Sequence, residues 1–266
     1  MAKPFVATPN DGVAWVTGAS SGIGAAVAAR LAAQGFTVAV TARRQEELED
    51  LAESVSGPGR IVPMAGDVTD AEAMDGLVGR IEAELGALAL VVLNAGVYIP
   101  VSGDELDRDA FAKTFDVNLK GTVNALVPAA NAMKSRGKGQ IAIVASVAGY
   151  SGLPTSAAYG ASKAGLLNLA EALKFDFDHL GLTIQVISPG FVDTPATADN
   201  PFPMPFLMEV DDAADRLIAG LATGRFEVTF PRRFTYQLKL LRALPYWLFF
   251  PLLARATGWN KDKATG

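Results

Sequence analysis

The feature that most constrains this chain is an alternation repeated about six times: a short β-branched, apolar run, then an Ala/Leu-rich segment with helical character. Strands are predicted at Val13–Thr17, Thr37–Thr41, Ile61–Ala65, Ala89–Asn94, Gln140–Ser146, Thr183–Ser188 and Phe226–Phe230. Helices are predicted at Gly22–Gln34, Gln45–Ser54, Ala71–Leu85, Asp107–Lys134 with a bend at Pro128, Ala157–Leu180 and Asp211–Thr223. The strands lack clean polar alternation, so both of their faces are expected to be buried. That pattern implies a parallel sheet wrapped by helices, with any ligand beyond the carboxyl ends of the strands. No repeat or linker interrupts it, and one domain is the expected count.

Composition excludes several kinds of chemistry. The chain has 266 residues, half of them apolar and 19% charged, enough for a sizeable core and wrong for disorder or a coiled coil. It has no cysteine, which removes disulfides, Cys-based zinc sites and thiol nucleophiles. Its one histidine, His179, makes a His-rich metal site or a Ser-His relay improbable; before Gly181 it suits a helix C-terminus. No metal is expected. The net charge of −5 speaks against nucleic acid as a partner. No secretory signal is visible in Met1–Asn10. The longest apolar charge-free stretch near the end is Ala243–Ala254, shorter than the ~20 residues a membrane span needs. A soluble, cytoplasmic protein is expected.

The residues that carry chemistry fall where the strands end. Thr17-Gly-Ala-Ser-Ser-Gly-Ile-Gly24 joins the first strand to the first helix. Gly18 permits a sharp turn, Gly22 lets the backbone approach a pyrophosphate, and Gly24 lets the helix pack on the sheet. Free N–H groups at the helix start then face the anion. The spacing departs from the standard dinucleotide fingerprint, and an ordinary Gly-rich turn is the plainer alternative. The second strand ends in Thr41-Ala-Arg-Arg44, with no acid to grip a ribose 2′-hydroxyl. Arg43 offers a planar fork suited to a 2′-phosphate, which favours NADP(H) over NAD(H); a solvated turn is the alternative. Asp67 and Val68 follow the third strand and suit contact with an adenine, though Asp67 would equally cap the next helix.

Tyr159 and Lys163 lie four apart on a predicted helix and share a face. A nearby ammonium favours the phenolate, so such a tyrosine can pass a proton to or from an alcohol. Ser146 ends the fifth predicted strand, where its hydroxyl would hydrogen-bond the reacting oxygen. Asn118, inside a predicted helix, has an amide able to hold a water that relays protons from Lys163.

Taken together, these motifs resemble the short-chain dehydrogenase/reductases in their ordinary one-domain branch, over roughly residues 11–230. The matching text is residues 17–24, Asp67-Val68, Asn94-Ala-Gly96, Asn118, Ser146, Tyr159-Gly-Ala-Ser-Lys163 and Pro189-Gly190. The resemblance implies a Rossmann-like, doubly wound parallel sheet of about seven strands with helices on both faces. It implies hydride transfer between a nicotinamide cofactor and a carbonyl or alcohol. Tyr159 would be the general acid/base, Lys163 would bind the nicotinamide ribose and lower the tyrosine pKa, Ser146 would orient the substrate, and Asn118 would support the water relay. The cofactor would contact Gly18, Ser20, Ser21, Gly22, Ile23 and Gly24 of the turn. It would also contact Arg43, Asp67, Val68, Asn94, Ala95, Gly96, Tyr159, Lys163, Pro189, Gly190, Val192 and Thr194. Such proteins commonly form homodimers or homotetramers through the helices bearing Asn118 and Tyr159. Two departures stand out: Leu93 replaces a frequent Asn, and Ser21 takes a place where NADP-dependent members can carry a basic residue.

Thr194–Met208 is Pro-rich, with Pro195, Pro201, Pro203 and Pro205 interleaved with Phe202, Met204, Phe206, Leu207 and Met208. It reads as an apolar lid over a small hydrophobic carbonyl or alcohol substrate, with Tyr98, Ile99, Pro100 and Leu153 in the same pocket. Residues 231–266 lie beyond the 1–230 catalytic domain as an apolar, basic, helical extension. Pro231–Lys263 is net +6 and the rest of the chain −11. The extension suits packing on its own domain, on a partner subunit, or on an anionic membrane surface. An NADP(H)-dependent oxidoreductase is the first reading; a catalytically silent dinucleotide sensor is the second, and the intact Ser146, Tyr159 and Lys163 argue against it.

Overall fold

The structure, a computed structural model, describes residues 3–197 and 204–259. Pro201, Phe202 and Pro203 of the expected lid, and Lys261, Asp262 and Lys263 of the tail, lie outside the described residues. Seven strands form one sheet: β1 (Val13–Thr17), β2 (Thr37–Thr41), β3 (Arg60–Pro63), β4 (Leu88–Leu93), β5 (Gly139–Val144), β6 (Leu182–Pro189) and β7 (Glu227–Phe230). All neighbours pair in parallel in the order β3-β2-β1-β4-β5-β6-β7. Around it pack α1 (Gly22–Ala33), α2 (Gln45–Ser54), α3 (Ala71–Glu84), α4 (Arg108–Phe115), α5 (Gly121–Arg136), α6 (Ala157–His179) and α7 (Val210–Leu221), followed by α8 (Arg232–Arg242) and α9 (Tyr246–Thr257). This is the Rossmann-like α/β fold.

The strands lack alternation because water reaches neither face. Every residue of β1, β4, β5 and β6 is buried. Successive side chains still point to opposite faces. Trp15 enters a core with Leu93, Ile141, Met74 and Met133. Its neighbour Val16 enters a second core with Val38, Val27, Leu31 and Leu217. Trp15 is fully buried, and its indole N–H donates to Thr41 Oγ1 at 2.9 Å, which ties β1 to β2 inside the first core.

From β1 the chain winds outward to β3, then returns to β4 and winds the other way. The loops after β1 and β4 therefore diverge and leave a crevice at the carboxyl ends of the strands. One expectation needs correction. The predicted helix Asp107–Lys134 is not continuous: a π-helical turn over Asp116–Lys120 divides it, and Pro128 sits inside α5. Widening the helix there carries Asn118 inward, where its amide is captured by hydrogen bonds to two other elements.

Candidate active site

The loop after β1 is tied down from both sides. Gly18 has φ +67 and donates its N–H to Thr41 O at 2.7 Å. A Cβ there would fall 2.6 Å from Ala95 Cα, so only glycine allows this approach. Gly24, in the first turn of α1, lies so close beneath that a Cβ would fall 2.2 Å from Gly18 O. Across the crevice, Asn94 Nδ2 donates to Thr17 O (3.2 Å) and Gly18 O (3.0 Å). The backbone N–H groups of Asn94 and Ala95 both donate to Thr17 Oγ1, at 3.1 and 3.2 Å. Asn94 thus braces the loop after β4 against the glycine turn. Thr17, a buried hydroxyl at the end of an apolar strand, was not singled out from the sequence; its polarity at that position was the available signal.

These loops line a cleft of about 390 Å³. At one end stand Gly18, Ser20, Ser21, Gly22 and Ile23 with Arg43, Asp67 and Val68; at the other, Ser146, Tyr159 and Lys163. Asn94, Ala95, Gly96, Pro189, Gly190, Val192 and Thr194 line the walls between. Gly24 lies behind the turn, at the packing contact just described. His179 sits at the C-terminus of α6, where Nδ1 bonds Phe175 O at 2.7 Å, and lines no part of the cleft.

At the Arg43 end the two arginines part company. Arg44 pairs with Glu47 one turn along α2. Arg43 is exposed, lines the cleft, and makes no ion pair among the described residues. Asp67 does not cap α3. That role falls to Asp70, whose Oδ1 accepts from Ala73 N at 3.0 Å. Asp67 Oδ1 instead accepts from Thr69 N (2.9 Å) and Thr69 Oγ1 (2.8 Å). Those bonds, with help from the Arg43 charge, hold its carboxyl below the usual range. The Val68 carbonyl accepts from Asn124 Nδ2 at 2.9 Å.

At the other end, α6 places Tyr159 and Lys163 one turn apart, with Lys163 Nζ 5.6 Å from the Tyr159 ring centroid. Lys163 is 4% exposed, and Nζ donates to Val144 O at 2.8 Å. Burial pushes its pKa down to about 8, so the ammonium still prevails at neutral pH. Burial pushes the Tyr159 hydroxyl above its ordinary value, and the nearby Ser146 hydroxyl pulls it partly back. The net shift is upward, where the resemblance implies a lowering. Ser146 lies just past β5 and caps a short turn, its Oγ accepting from Ala148 N at 3.1 Å. The Tyr98 ring meets the Tyr159 ring edge-on at 5.2 Å.

Asn118 is fully buried. Nδ2 spends both hydrogens inside the protein, on Val97 O (2.9 Å) and Ser162 Oγ (3.1 Å), while Oδ1 accepts from Val97 N at 2.7 Å. The side chain locks the π-turn to α6 and to the loop after β4, which leaves a single Oδ1 lone pair for any water. Ser162, three residues past Tyr159, passes the contact back by donating to Tyr159 O at 2.7 Å.

On the substrate side, Tyr98 and Leu153 line the cleft, joined by Val147, Phe191, Pro195 and Ala196. Ile99 packs instead with Val101, Ala110, Phe111 and Ala158, and Pro100 is exposed. Met208 is no lid residue. Its N–H donates to Phe191 O (3.0 Å), its carbonyl accepts from Asp193 N (2.9 Å), and its side chain joins the second core. This strand-like bridge with Val192 draws the end of the segment back onto the sheet. Phe206 stays half exposed, its ring tilted against that of Phe234 with centroids 5.9 Å apart.

The family model for short chain dehydrogenases matches residues 12–202. An "Uncharacterized oxidoreductase" of Myxococcus xanthus is 38% identical over 89% of this chain and 94% of its own. A Streptomyces coelicolor protein named "Putative ketoacyl reductase" is 34% identical over 83% of this chain and 87% of its own. A short-chain type dehydrogenase/reductase from Mycobacterium marinum superposes with a TM-score of 0.75 at 25% identity, covering 84% of this chain and 93% of that one. The chain therefore belongs to the short-chain dehydrogenase/reductase family, as an NAD(P)-dependent oxidoreductase.

Proposed function

We propose that the protein is NADP(H)-dependent and interconverts a hydrophobic ketone or aldehyde with its alcohol. The observation that carries this reading is the cleft itself. The Tyr159 hydroxyl, one helical turn from the buried Lys163 ammonium, faces the same cavity as Ser146, the glycine turn and Arg43.

The residues present fit a dinucleotide. Gly22 faces Thr194 so closely that a Cβ on Gly22 would lie 3.3 Å from Thr194 Cγ2, and a Cβ on Gly96 would lie 3.5 Å from Lys163 Nζ. Larger side chains at either place would intrude on the walls. When bound, the nicotinamide supplies or accepts the hydride. Tyr159 donates a proton to the carbonyl oxygen in reduction. Burial keeps that proton on the phenol at neutral pH, which suits reduction better than oxidation. Ser146 holds the same oxygen by a hydrogen bond. Lys163, beside Gly96, holds the ribose and supplies the positive field. Asn118 keeps α6 in register with the loop after β4.

Arg43 supports the preference for NADP(H): its exposed guanidinium makes no ion pair among the described residues, at the end of a strand without an acid. The apolar wall of Tyr98, Leu153, Val147 and Phe191 supports a hydrophobic substrate, and the name of the Streptomyces relative points the same way. Exposed Phe115, Val127 and Phe175 on α4, α5 and α6 support a homodimer or homotetramer. A dinucleotide-linked reductase of this kind would work in the cytoplasm.

The test is turnover of NADPH and NADH with a panel of apolar carbonyls, for the natural chain and Arg43→Ala. NADPH is expected to be preferred at least about tenfold, and the variant to lose that margin, since a charge-assisted contact is worth ~1.5–3 kcal/mol. Equal use of both cofactors by the natural chain would remove the NADP(H) reading. Tight NADPH binding without turnover of any carbonyl would favour the silent sensor.

A further inference from the structure

The last two helices present an apolar face that the body of the protein leaves uncovered. On α8, Phe234, Thr235 and Leu238 turn inward; on α9, Phe249 and Leu253 do. Tyr236, Leu240, Tyr246, Trp247, Phe250 and Leu252 turn outward, with Leu240 72% and Trp247 73% exposed. Monomers rarely leave a patch of this kind without a use for it.

The charges of these two helices have one sign. From Pro231 to Trp259 the chain carries Arg232, Arg233, Lys239, Arg242 and Arg255 and no acid. Lys239 is committed to Glu227 on β7. The four arginines are exposed and pair with no carboxylate among the described residues. Arg242 stands beside the rim aromatic Tyr246, its Cζ 5.4 Å from the ring centroid.

We propose that α8 and α9 form a peripheral docking surface for an anionic lipid bilayer. The helices would lie in the plane of the interface, with Trp247, Phe250 and Leu240 at the acyl boundary and the arginines among the phosphates. Tyr and Trp rings, apolar with one polar tip, suit that depth. No helix among the described residues is long and apolar enough to cross a membrane, so the pair lies on the bilayer rather than through it. A second copy of the chain fits this face poorly. A two-fold contact would set the arginines of one copy against those of the other, with no acid on the patch to offset them. The surface is also tied to the cleft: the ring of Phe234 on α8 packs against that of the cleft residue Phe191, centroids 5.6 Å apart. Docking would hold the cleft mouth near the bilayer.

The experiment is co-sedimentation of the full-length protein with vesicles of phosphatidylcholine alone and of phosphatidylcholine with about 30% phosphatidylserine, at low and at about 0.5 M salt. Binding to the anionic vesicles is expected to exceed binding to the neutral ones at least about tenfold and to weaken in salt. The double variant Trp247→Ser/Phe250→Ser is expected to lose at least about tenfold in binding while retaining cofactor turnover. Should that variant fail to fold, Arg232→Glu/Arg242→Glu is expected to show the same loss with turnover retained. Absence of binding to either vesicle would overturn the proposal, as would undiminished binding by the folded variants. Conversion of an oligomer to a monomer by these changes, without vesicle binding, would assign the face to protein contact and overturn it too. A chain that binds vesicles yet turns over no carbonyl would leave the docking intact and remove only the proposed activity.

Discussion

The two ends of the sheet handle buried polar groups in opposite ways. Near the amino end, Gln140 and Gln185 form a closed network. Gln140 Nε2 donates to Gln185 Oε1 (2.6 Å) and Leu221 O (2.9 Å), and its Oε1 accepts from Ala7 N (2.8 Å). Gln185 Nε2 donates to Gly220 O (3.3 Å) and Arg225 O (2.8 Å). Every donor hydrogen is spent on joining β5, β6, α7 and the N-terminal segment. At the carboxyl end, Lys163 is buried as a cation with a carbonyl for its partner. Tyr159 points a hydroxyl into a cavity, and Thr155, a β-branched residue just before α6, is held at φ +57. One end spends its polar groups on stability. The other carries desolvation and backbone strain so that its polar groups stay available to a ligand.

That contrast is open to direct tests. Lys163→Met removes a buried charge of the carboxyl end. It is expected to lower carbonyl reduction by a factor of about 10² to 10³ with no loss of thermal stability. A large drop in melting temperature would make Lys163 a structural residue like the glutamines. Gln140→Leu is the mirror experiment: it orphans Ala7 N, Gln185 Oε1 and Leu221 O. It is expected to cost about 3 kcal/mol in urea unfolding, with turnover per folded molecule unchanged. A selective loss of turnover would erase the distinction between the two ends.

A pH profile sharpens the contrast further. The Lys163 pKa is about 8 when folded, below the ordinary lysine value of 10.5, so the unfolded chain holds this proton more tightly. The group therefore opposes folding where it is charged, and its contribution to stability rises between pH 8 and pH 10.5. Activity should run the other way and fall as pH passes about 8, when the ammonium is lost. Opposite trends of rate and stability over that range, absent in Lys163→Met, are the expected outcome. The smallest effect belongs to Thr155→Gly, which relieves a left-handed conformation. It is expected to stabilise the fold by about 1 kcal/mol, measured by urea titration. Destabilisation would mean that the Thr155 hydroxyl, 3.3 Å from the Tyr98 hydroxyl, outweighs the strain.

The legible part of this molecule is the part encoded locally. β1 and β2 coincide with their predicted runs, and α2 matches residue for residue, because apolar periodicity and glycine breaks act over a few neighbours. Tyr159 and Lys163 were placed on one helix face by their spacing alone. What stayed hidden depends on partners distant in sequence. Thr17 acquires its role from Asn94, 77 positions on; Asn118 from Ser162, 44 positions on; Gln140 from Gln185, 45 positions on. The π-turn at Asn118 follows from those bonds, and a local helical pattern over residues 107–134 gives no sign of it. Asp67 and Asp70 compete for one cap three residues apart, and the winner is set by whether Thr69 satisfies the first. Met208 resembles a lid residue until its backbone pairs with the loop after β6.

The central claim is that the Tyr159 hydroxyl delivers the proton while the rest of the cleft only binds and orients. The most direct measurement compares Tyr159→Phe with the natural chain in two assays: NADPH affinity by fluorescence and steady-state reduction of the best carbonyl in the panel. NADPH affinity is expected to stay within about twofold, while turnover falls by a factor of about 10² to 10⁴. Turnover within a few-fold of the natural chain, with NADPH still bound, would contradict the account.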